Sequence, residues 1–189
     1  MGKKELRDEI LKRRNLLSYE EVQVCSNLIE ENLYSLELFK NANNIFIFVS
    51  YNKEVNTHNI IKNSLKLNKE VYVPVVDPKT KTMKASRLRD FSNLKENYMK
   101  ILEPSSEYLD FIDPDIIDLA IVPGLLFNKE GYRIGYGGGF YDKFFKSLKR
   151  DIKKLGIGYD FQFTTGNTWQ ENFDIPVNYF LSEKKFYIL

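Results

Sequence analysis

Residues 44–76 read NIFIFVSYNKEVNTHNIIKNSLKLNKEVYVPVV, and this stretch decides the class of fold. Its first eight and last seven residues are short apolar runs rich in β-branched and aromatic side chains, as is typical of strands covered on both faces. Between them, Thr57 is placed to cap a helix over residues 58–68, in which Ile60 and Ile61 are available for packing. A strand, a helix and a second strand form a βαβ unit, which predicts parallel strands.

Two helices are predicted before this unit. In residues 4–17 the apolar side chains recur at near-helical spacing. The charged residues on the polar side of this helix are Lys3, Arg7, Arg13 and Arg14. Ser18 is a good N-cap, and the apolar pattern after it predicts a second helix over residues 19–39.

Three further apolar runs extend the unit. Strands are predicted within residues 115–124, 153–159 and 176–182, and the run after Asp77 and Pro78 suits an added antiparallel hairpin. The sequence therefore predicts one domain, residues 1–189, of the α/β class. We expect three α/β/α layers around a mostly parallel, Rossmann-like sheet, with two N-terminal helices and the added hairpin.

The composition argues against several classes of function. The 28 basic and 26 acidic residues leave a net charge of +2, so no global field favours a nucleic acid or an anionic membrane as a partner. Cys25 is the only cysteine, which excludes an internal disulfide and a CxxC zinc site. The N-terminus lacks the pattern of a signal peptide, and no apolar run approaches the roughly 20 residues of a membrane span. We expect a cytoplasmic protein and a monomer.

The segment NKEGYRIGYGGGFYDKFF, residues 128–145, carries the strongest indication of a ligand site. Glycine lets backbone amides approach an anion closely and permits the positive φ that turns successive N–H groups to one side. The glycines that supply this freedom are Gly135, Gly137, Gly138 and Gly139. The apolar spacing after them predicts a helix that begins at the last glycines, with its positive end toward the same place. These features favour a phosphate site, in which Arg133 supplies a guanidinium fork and Asp142 could hold Mg²⁺.

The spacing of the glycines excludes two known phosphate-binding motifs, but it does not exclude a loop without a ligand. A Walker A loop is excluded because no glycine is followed at the required interval by Gly-Lys-Ser/Thr. A GxGxxG fingerprint is excluded because its third glycine would stand where Phe140 is. A tight loop without a ligand, with Asp142 serving the helix dipole and Tyr141 in the core, explains the same residues. Residue types and spacing alone leave the phosphate site and the tight loop open.

Residues 122–145, VPGLLFNKEGYRIGYGGGFYDKFF, resemble the signature of the 5-formyltetrahydrofolate cyclo-ligase family, which runs roughly PGxxFDxxGxRxGxGxGYYD. Five further segments resemble other motifs of that family and follow one another in the same order. They are KKELR, VSYNKEVNT, ILEP, LGIGYDFQ and FDIPVNYFLSE. Four residues depart from the pattern: Lys100 stands for a glycine, Asn128 for an aspartate, Phe140 for a tyrosine and Phe173 for a histidine. Phe140 excludes a hydroxyl role at its position.

The resemblance implies an ATP- and Mg²⁺-dependent closure of 5-formyltetrahydrofolate to 5,10-methenyltetrahydrofolate, with release of ADP and phosphate. The implied contacts to ATP are Lys3, Arg7, Arg133, Ile134, Gly135, Tyr136, Gly137, Gly138, Gly139, Phe140 and Tyr141. Arg133 and Tyr141 are the implied catalytic residues. The implied contacts to the folate are Val49, Glu54, Tyr136 and Phe140. Asp142 is the implied metal ligand, and Asp174 is a weaker second candidate.

Without the resemblance, the same residues have plainer interpretations. Lys3 and Arg7 would be solvated charges, and Glu54 would be a surface carboxylate. A sugar-phosphate enzyme on a similar scaffold and a non-catalytic nucleotide- or folate-binding module are the alternative functions. The basic residues that could meet a glutamate tail on the substrate are Lys84, Arg87 and Arg89.

Overall fold

The computed structural model of the chain describes residues 2–97, 101–166 and 169–189. Within these residues the helices are Lys3–Leu16 (α1), Tyr19–Ser35 (α2), Glu37–Lys40 (α3), His58–Lys66 (α4) and Phe140–Lys146 (α5). The strands are Asn44–Ile47 (β1), Glu70–Asp77 (β2), Thr82–Leu88 (β3), Leu94–Glu96 (β4), Leu102–Pro104 (β5), Leu119–Val122 (β6), Leu126–Asn128 (β7), Arg133–Ile134 (β8), Lys153–Ile157 (β9), Phe163–Thr164 (β10), Tyr179–Leu181 (β11) and Phe186–Ile188 (β12).

The main sheet contains seven strands in the order β12, β11, β9, β6, β1, β2, β3 within the described ranges. The five inner strands run parallel, and β12 and β3 pair antiparallel at the two edges. The β2–β3 pair is the hairpin predicted after Asp77, with Asp77 opposite Thr82. The chain passes from β1 through α4 to β2 on one side and from β6 through α5 to β9 on the other. The direction of winding therefore reverses between β1 and β6, which is where open α/β sheets bind ligands.

Helices cover both faces of this sheet, as the three-layer prediction requires. Leu119 and Ile121 of β6 belong to the core that includes α2, α3 and α4. Ala120 and Val122 alternate to the other face and join the core that includes Phe144 and Phe145 of α5. This alternation follows from the period of two in a strand, and it explains why β6 is buried at every position.

Two predicted elements end earlier than their apolar patterns. The helix over residues 19–39 is wrong beyond Ser35, because Leu36 is extended with φ −74° and ψ 129° before α3 begins. The first strand ends at Ile47, and Thr57 does not cap α4 with its side chain. Instead the Thr57 hydroxyl donates to Phe48 O at 2.8 Å and accepts from Ser50 N–H at 3.0 Å, so it holds the loop that leaves β1.

A hairpin that the sequence did not indicate stands between β6 and the glycines. Strands β7 and β8 pair antiparallel, and β10 joins β7 to complete a small sheet. The turn is built by Asn128 Oδ1, which accepts from Glu130 N–H and Tyr132 N–H at 3.2 and 2.9 Å. Only an acceptor oxygen is used in these contacts, so the amide of Asn128 serves where the family pattern has aspartate.

Helix α1 lies on this small sheet. Leu6 and Ile10 pack in one cluster with Leu126, Ile134 and Trp169. This contact brings the polar side of α1 toward the segment that follows β8. No helix within the described ranges is both long and apolar enough to cross a membrane.

Candidate active site

A small cavity opens where the chain leaves the carboxyl ends of β1 and β6. Phe48 follows β1 in this cavity, and Pro123 and Gly124 follow β6. Arg14 of α1 and Glu54 of the loop after β1 line the same cavity. The site therefore lies at the point where the sheet reverses its winding.

The glycine loop connects β8 to α5, as predicted. Gly137 and Gly139 have φ of +101° and +64°, a conformation that favours glycine, and Gly139 is the residue from which α5 begins. At Gly138 a Cβ would lie 2.5 Å from the ring of Phe140, so that ring packs directly on the loop. The loop thus needs Gly137 and Gly139 for conformation and Gly138 for close packing.

Arg7 lies across the glycine loop. Its Nε donates to Gly135 O at 2.9 Å, and a Cβ at Gly137 would be 3.6 Å from its Nη2. Arg7 forms no ion pair with any described residue. An arginine without a carboxylate partner beside a run of flexible amides is suited to bind a phosphate group.

Arg133 is held by the protein itself. Its side chain is 5% exposed, and it donates to Asp142 Oδ1 at 3.0 Å and to Ile175 O at 2.8 Å. Ile175 N–H also donates to Asp142 Oδ1, at 3.1 Å. Burial lowers the pKa of Arg133, and the Asp142 charge opposes that effect. Arg133 therefore ties the start of the glycine loop to the start of α5 and to the C-terminal segment.

Replacing Arg133 with methionine is expected to lower the free energy of unfolding by about 3 kcal/mol, because Asp142 and Ile175 O lose their buried donor. Urea denaturation monitored by circular dichroism measures this change. Arg13→Met is the matched control, because Arg13 is an exposed arginine of α1 that stacks on Phe161 at 4.5 Å. Equal stability of the two variants would contradict a structural role for Arg133.

The two candidate metal ligands, Asp142 and Asp174, differ in the hydrogen bonds that their carboxylate oxygens accept. Asp142 uses Oδ1 for Arg133 and Ile175, and its Oδ2 has no hydrogen-bond partner among the described residues. Asp174 Oδ2 accepts from Lys3 Nζ at 2.7 Å and from Glu171 N–H at 2.9 Å. No group of three or more possible metal-ligating side chains is found in the part of the chain that the structure describes. The residues fit Mg²⁺ only as an ion shared between one carboxylate and phosphate oxygens.

Lys3 is neutralised rather than free. Its Nζ pairs with Asp174 at 2.7 Å and with Glu171 at 2.8 Å, and it lies 5.8 Å from the ring of Phe173. The pairs join the first turn of α1 to the C-terminal segment. The structure thus places Lys3 beside the weaker metal candidate, and a phosphate at this position would share the Lys3 charge with two carboxylates.

Glu54, Tyr136 and Arg14 form a hydrogen-bonded chain. The Tyr136 hydroxyl donates to Glu54 Oε1 at 2.8 Å and accepts from Arg14 Nη2 at 2.5 Å. Glu54 Oε2 accepts from Tyr51 N–H at 2.9 Å. Burial raises the pKa of Glu54, while the Tyr51 amide, the Arg14 charge and the Tyr136 hydroxyl oppose that rise. These hydrogen bonds join the glycine loop to Glu54, the carboxylate that is predicted to bind the folate.

Arg14 is a site residue that the sequence did not indicate. The apolar pattern placed it on the polar side of α1, but its side chain is 5% exposed. The available signal was its spacing, since Arg14 lies seven residues after Arg7 and two helical turns bring both to one side of the helix. The pattern could not show that Tyr136 and Glu54 would meet that side.

The remaining predicted contacts surround these groups. The ring of Tyr141 lies 6.3 Å from Phe46 and 6.2 Å from Phe145, and its hydroxyl has no hydrogen-bond partner within the described ranges. Burial raises the pKa of Tyr141, and the charge of Glu54 adds to the rise. Ile134 and Val49 are 1% and 5% exposed, so only their backbone atoms could meet a ligand.

The three basic residues considered for a glutamate tail do not lie together. Arg87 stands opposite Tyr72 near the amino end of β2 and pairs with Glu70 at 3.2 Å. Arg89 follows it and pairs with Asp110 at 3.0 Å. Lys84 stands opposite Val75, toward the carboxyl end of β2. Of the three, only Lys84 lies toward the end of the sheet at which the parallel strands have their carboxyl ends and the site is found.

Fold and site together define a Rossmann-like α/β protein with a glycine loop, an arginine without a carboxylate partner among the described residues and a partly buried glutamate, at the point where the sheet reverses its winding. A family model described as the 5-formyltetrahydrofolate cyclo-ligase family matches residues 1–183. The chain therefore belongs to the 5-formyltetrahydrofolate cyclo-ligase family, as the resemblance of its motifs predicted, and it is a ligase.

Individual relatives agree with this assignment. The 5-formyltetrahydrofolate cyclo-ligase of Haemophilus influenzae is 29% identical over 178 residues, which cover 93% of this chain and 94% of that protein. The enzyme of the same name from Saccharomyces cerevisiae is 33% identical over 162 residues, covering 76% and 75%.

Solved structures support the fold. The 5,10-methenyltetrahydrofolate synthetase of Aquifex aeolicus superposes with a TM-score of 0.86 at 31% identity, covering 100% of this chain and 93% of that one. The synthetase of Mycoplasma pneumoniae superposes with a TM-score of 0.78, covering 97% and 99%; at 24% identity it supports the fold alone. The predicted Rossmann-like architecture is confirmed.

Proposed function

We propose that the protein closes the ring of 5-formyltetrahydrofolate to give 5,10-methenyltetrahydrofolate, and that it converts ATP to ADP and phosphate in doing so. The observation that carries this proposal is the chain from the glycine loop through the Tyr136 hydroxyl to Glu54. A phosphoryl transfer between two ligands requires that both be held side by side. This hydrogen bond supports the proposal because it joins a loop suited to phosphate with a carboxylate suited to a pterin.

ATP is proposed to bind along the glycine loop. Arg7 and the amides of residues 135–139 would hold its phosphates, because both are free of carboxylates and adjacent to each other. Asp142 would hold Mg²⁺ through Oδ2, with Asp174 close by on the same segment that Arg133 binds. When bound, Mg²⁺ would neutralise the charge on the transferring phosphoryl group. Arg133 would contribute by fixing the orientation of Asp142.

The folate is proposed to bind over the cavity between β1 and β6. Glu54 would accept hydrogen bonds from pterin N–H groups, and the backbone at Val49 would lie alongside. Phe140 and the half-exposed ring of Tyr136 offer flat surfaces for the pterin or the adenine. The Tyr141 hydroxyl, which has no hydrogen-bond partner within the described ranges, would meet the reacting formyl group.

The chemistry asks the protein for positioning and not for a nucleophile. The terminal phosphoryl group of ATP passes to the formyl oxygen, and a neighbouring N–H nitrogen of the folate then attacks the formyl carbon and releases its proton to solvent. The carbon–oxygen bond breaks, and the former formyl oxygen leaves as part of phosphate. Each charged group named above would act on a group that gains or loses charge in these steps.

The nearly balanced charge also supports a small-molecule substrate, not a nucleic acid or a membrane surface. We propose that the protein works as a monomer in the cytoplasm. A glutamate tail on the substrate would pass Lys84 on the site's edge of β3.

The function is tested with purified protein, 5-formyltetrahydrofolate and MgATP. We expect the near-ultraviolet absorption band of the methenyl product to grow, and to grow only when both substrates and Mg²⁺ are present. Stabilisation by ATP and folate in a thermal melt without product would instead indicate a binding module. Stabilisation by a sugar phosphate but not by folate would indicate a different phosphate-ester enzyme.

A further inference from the structure

We propose that Arg14 is a positioning residue for the folate end of the site, and that it acts by orienting the Tyr136 hydroxyl toward Glu54. This inference rests on the proposed function, since it takes Glu54 as the carboxylate that receives the pterin. Arg14 lies outside the motifs of the resemblance.

Arg14 is buried although it is charged. Its side chain is 5% exposed, whereas the neighbouring Arg13 is exposed. Buried charges in proteins are paired, and Arg14 Nη1 lies 3.8 Å from Glu54 Oε1. Its Nε is nevertheless buried without a hydrogen-bond partner among the described residues. A buried N–H group without a partner weakens a fold, so stabilisation alone is a poor explanation for this arginine.

The contacts of Arg14 set the direction of a hydrogen bond. A guanidinium group only donates, so the Tyr136 oxygen accepts from Arg14 Nη2 and must turn its own hydrogen elsewhere. That hydrogen is directed to Glu54 Oε1, 2.8 Å away. Glu54 Oε2 is fixed by the amide of Tyr51. Both oxygens of Glu54 are therefore oriented, and the carboxylate is held in one position at the edge of the cavity.

The same helix also holds the nucleotide side of the site. Arg7 binds Gly135 O, and Arg14, two turns further along α1, binds the hydroxyl of the next residue in the loop. Helix α1 thus binds the glycine loop through two hydrogen bonds, and the Tyr136 hydroxyl in the second one also contacts Glu54. Loss of Arg14 would free the Tyr136 ring, which is 53% exposed, and leave Glu54 with one ordered oxygen.

The test compares the wild-type protein with Arg14→Met, Glu54→Gln and the double variant, and uses Arg13→Met as the matched control. Steady-state kinetics at saturating MgATP give KM for 5-formyltetrahydrofolate and kcat separately. We expect Arg14→Met to raise this KM about 30-fold and to change kcat less than about threefold, because Glu54 holds the folate before and during the reaction. Arg13→Met should stay within about twofold of the wild type. In the Glu54→Gln background, Arg14→Met should cost no more than about threefold in kcat/KM.

Tyr136→Phe interrupts the same series of hydrogen bonds, and it removes only a hydroxyl from a half-exposed ring. It therefore tests the orientation of Glu54 even if Arg14→Met does not fold. We expect it to raise the folate KM about tenfold. An unchanged folate KM in the folded variants would overturn the inference, as would a double variant whose loss equals the product of the single losses. A wild-type protein that forms no methenyl product would overturn the proposed function instead, so the two failures are distinguishable.

Discussion

Replacing Arg7 with methionine is expected to lower kcat/KM for ATP by about 100-fold, because an arginine that contacts a transferring phosphoryl group contributes strongly to its charge stabilisation. Arg7 has no carboxylate partner within the described ranges, and its one hydrogen bond there is to the carbonyl of Gly135. The free energy of unfolding should therefore change by no more than about 1 kcal/mol. Activity at varied ATP and a urea titration measure the two quantities on the same preparation.

Arg13→Met again serves as the control for the loss of a positive charge from α1. It should retain ATP kinetics within about twofold of the wild type, because Arg13 is exposed and stacks on the ring of Phe161. If Arg7→Met retained wild-type kcat/KM for ATP, the phosphates could not lie along the glycine loop beneath α1. A large loss of stability in Arg7→Met would instead assign Arg7 a structural role.

Asp142→Asn is expected to lower kcat by about 100-fold and to raise the Mg²⁺ concentration needed for half-maximal activity about tenfold, because a neutral amide is a weak ligand for Mg²⁺. The substitution keeps an oxygen for Arg133 and Ile175, so the connections of the C-terminal segment are retained. Initial rates over a Mg²⁺ titration at fixed ATP separate the metal role from a loss of folding.

Two controls define what this result means. Asp8→Asn removes an exposed carboxylate of α1 and should leave the Mg²⁺ dependence unchanged. Asp174→Asn should have a smaller effect than Asp142→Asn, since Lys3 and the Glu171 amide already occupy Asp174 Oδ2. A Mg²⁺ dependence that shifts for Asp174→Asn but not for Asp142→Asn would exchange the two assignments.

The second helix shows where sequence reasoning succeeds and where it stops. Ser18 caps α2 as predicted, because its hydroxyl accepts from Glu21 N–H three residues away. The predicted end of that helix was wrong, because Leu36 leaves the helical conformation at a place where the apolar pattern continues. Local hydrogen bonds are encoded by neighbouring residues, whereas the break is stabilised by packing such as that of Tyr34 on Phe39.

The candidate site divides in the same way. Gly137, Gly139 and the start of α5 follow from local conformational preferences, and they lie as predicted. The β7–β8 hairpin before them was missed, because its strands contain only two or three residues and carry no periodic signal of their own. Its turn depends on Asn128, which the sequence showed only as a departure from a family pattern.

The sequence by itself determined the βαβ unit, the parallel sheet, the glycine loop and the family, because each is written in residues close together along the chain. Only the tertiary structure decided which group each basic side chain of α1 contacts. Lys3 is joined to Asp174, Arg7 to Gly135 and Arg14 to Tyr136 across sequence separations of 171, 128 and 122 residues. Such pairs depend on how α1 docks on the small sheet, which no local pattern specifies. For that reason the place of Arg14 in the site depends on the fold, which brings its side chain to Glu54.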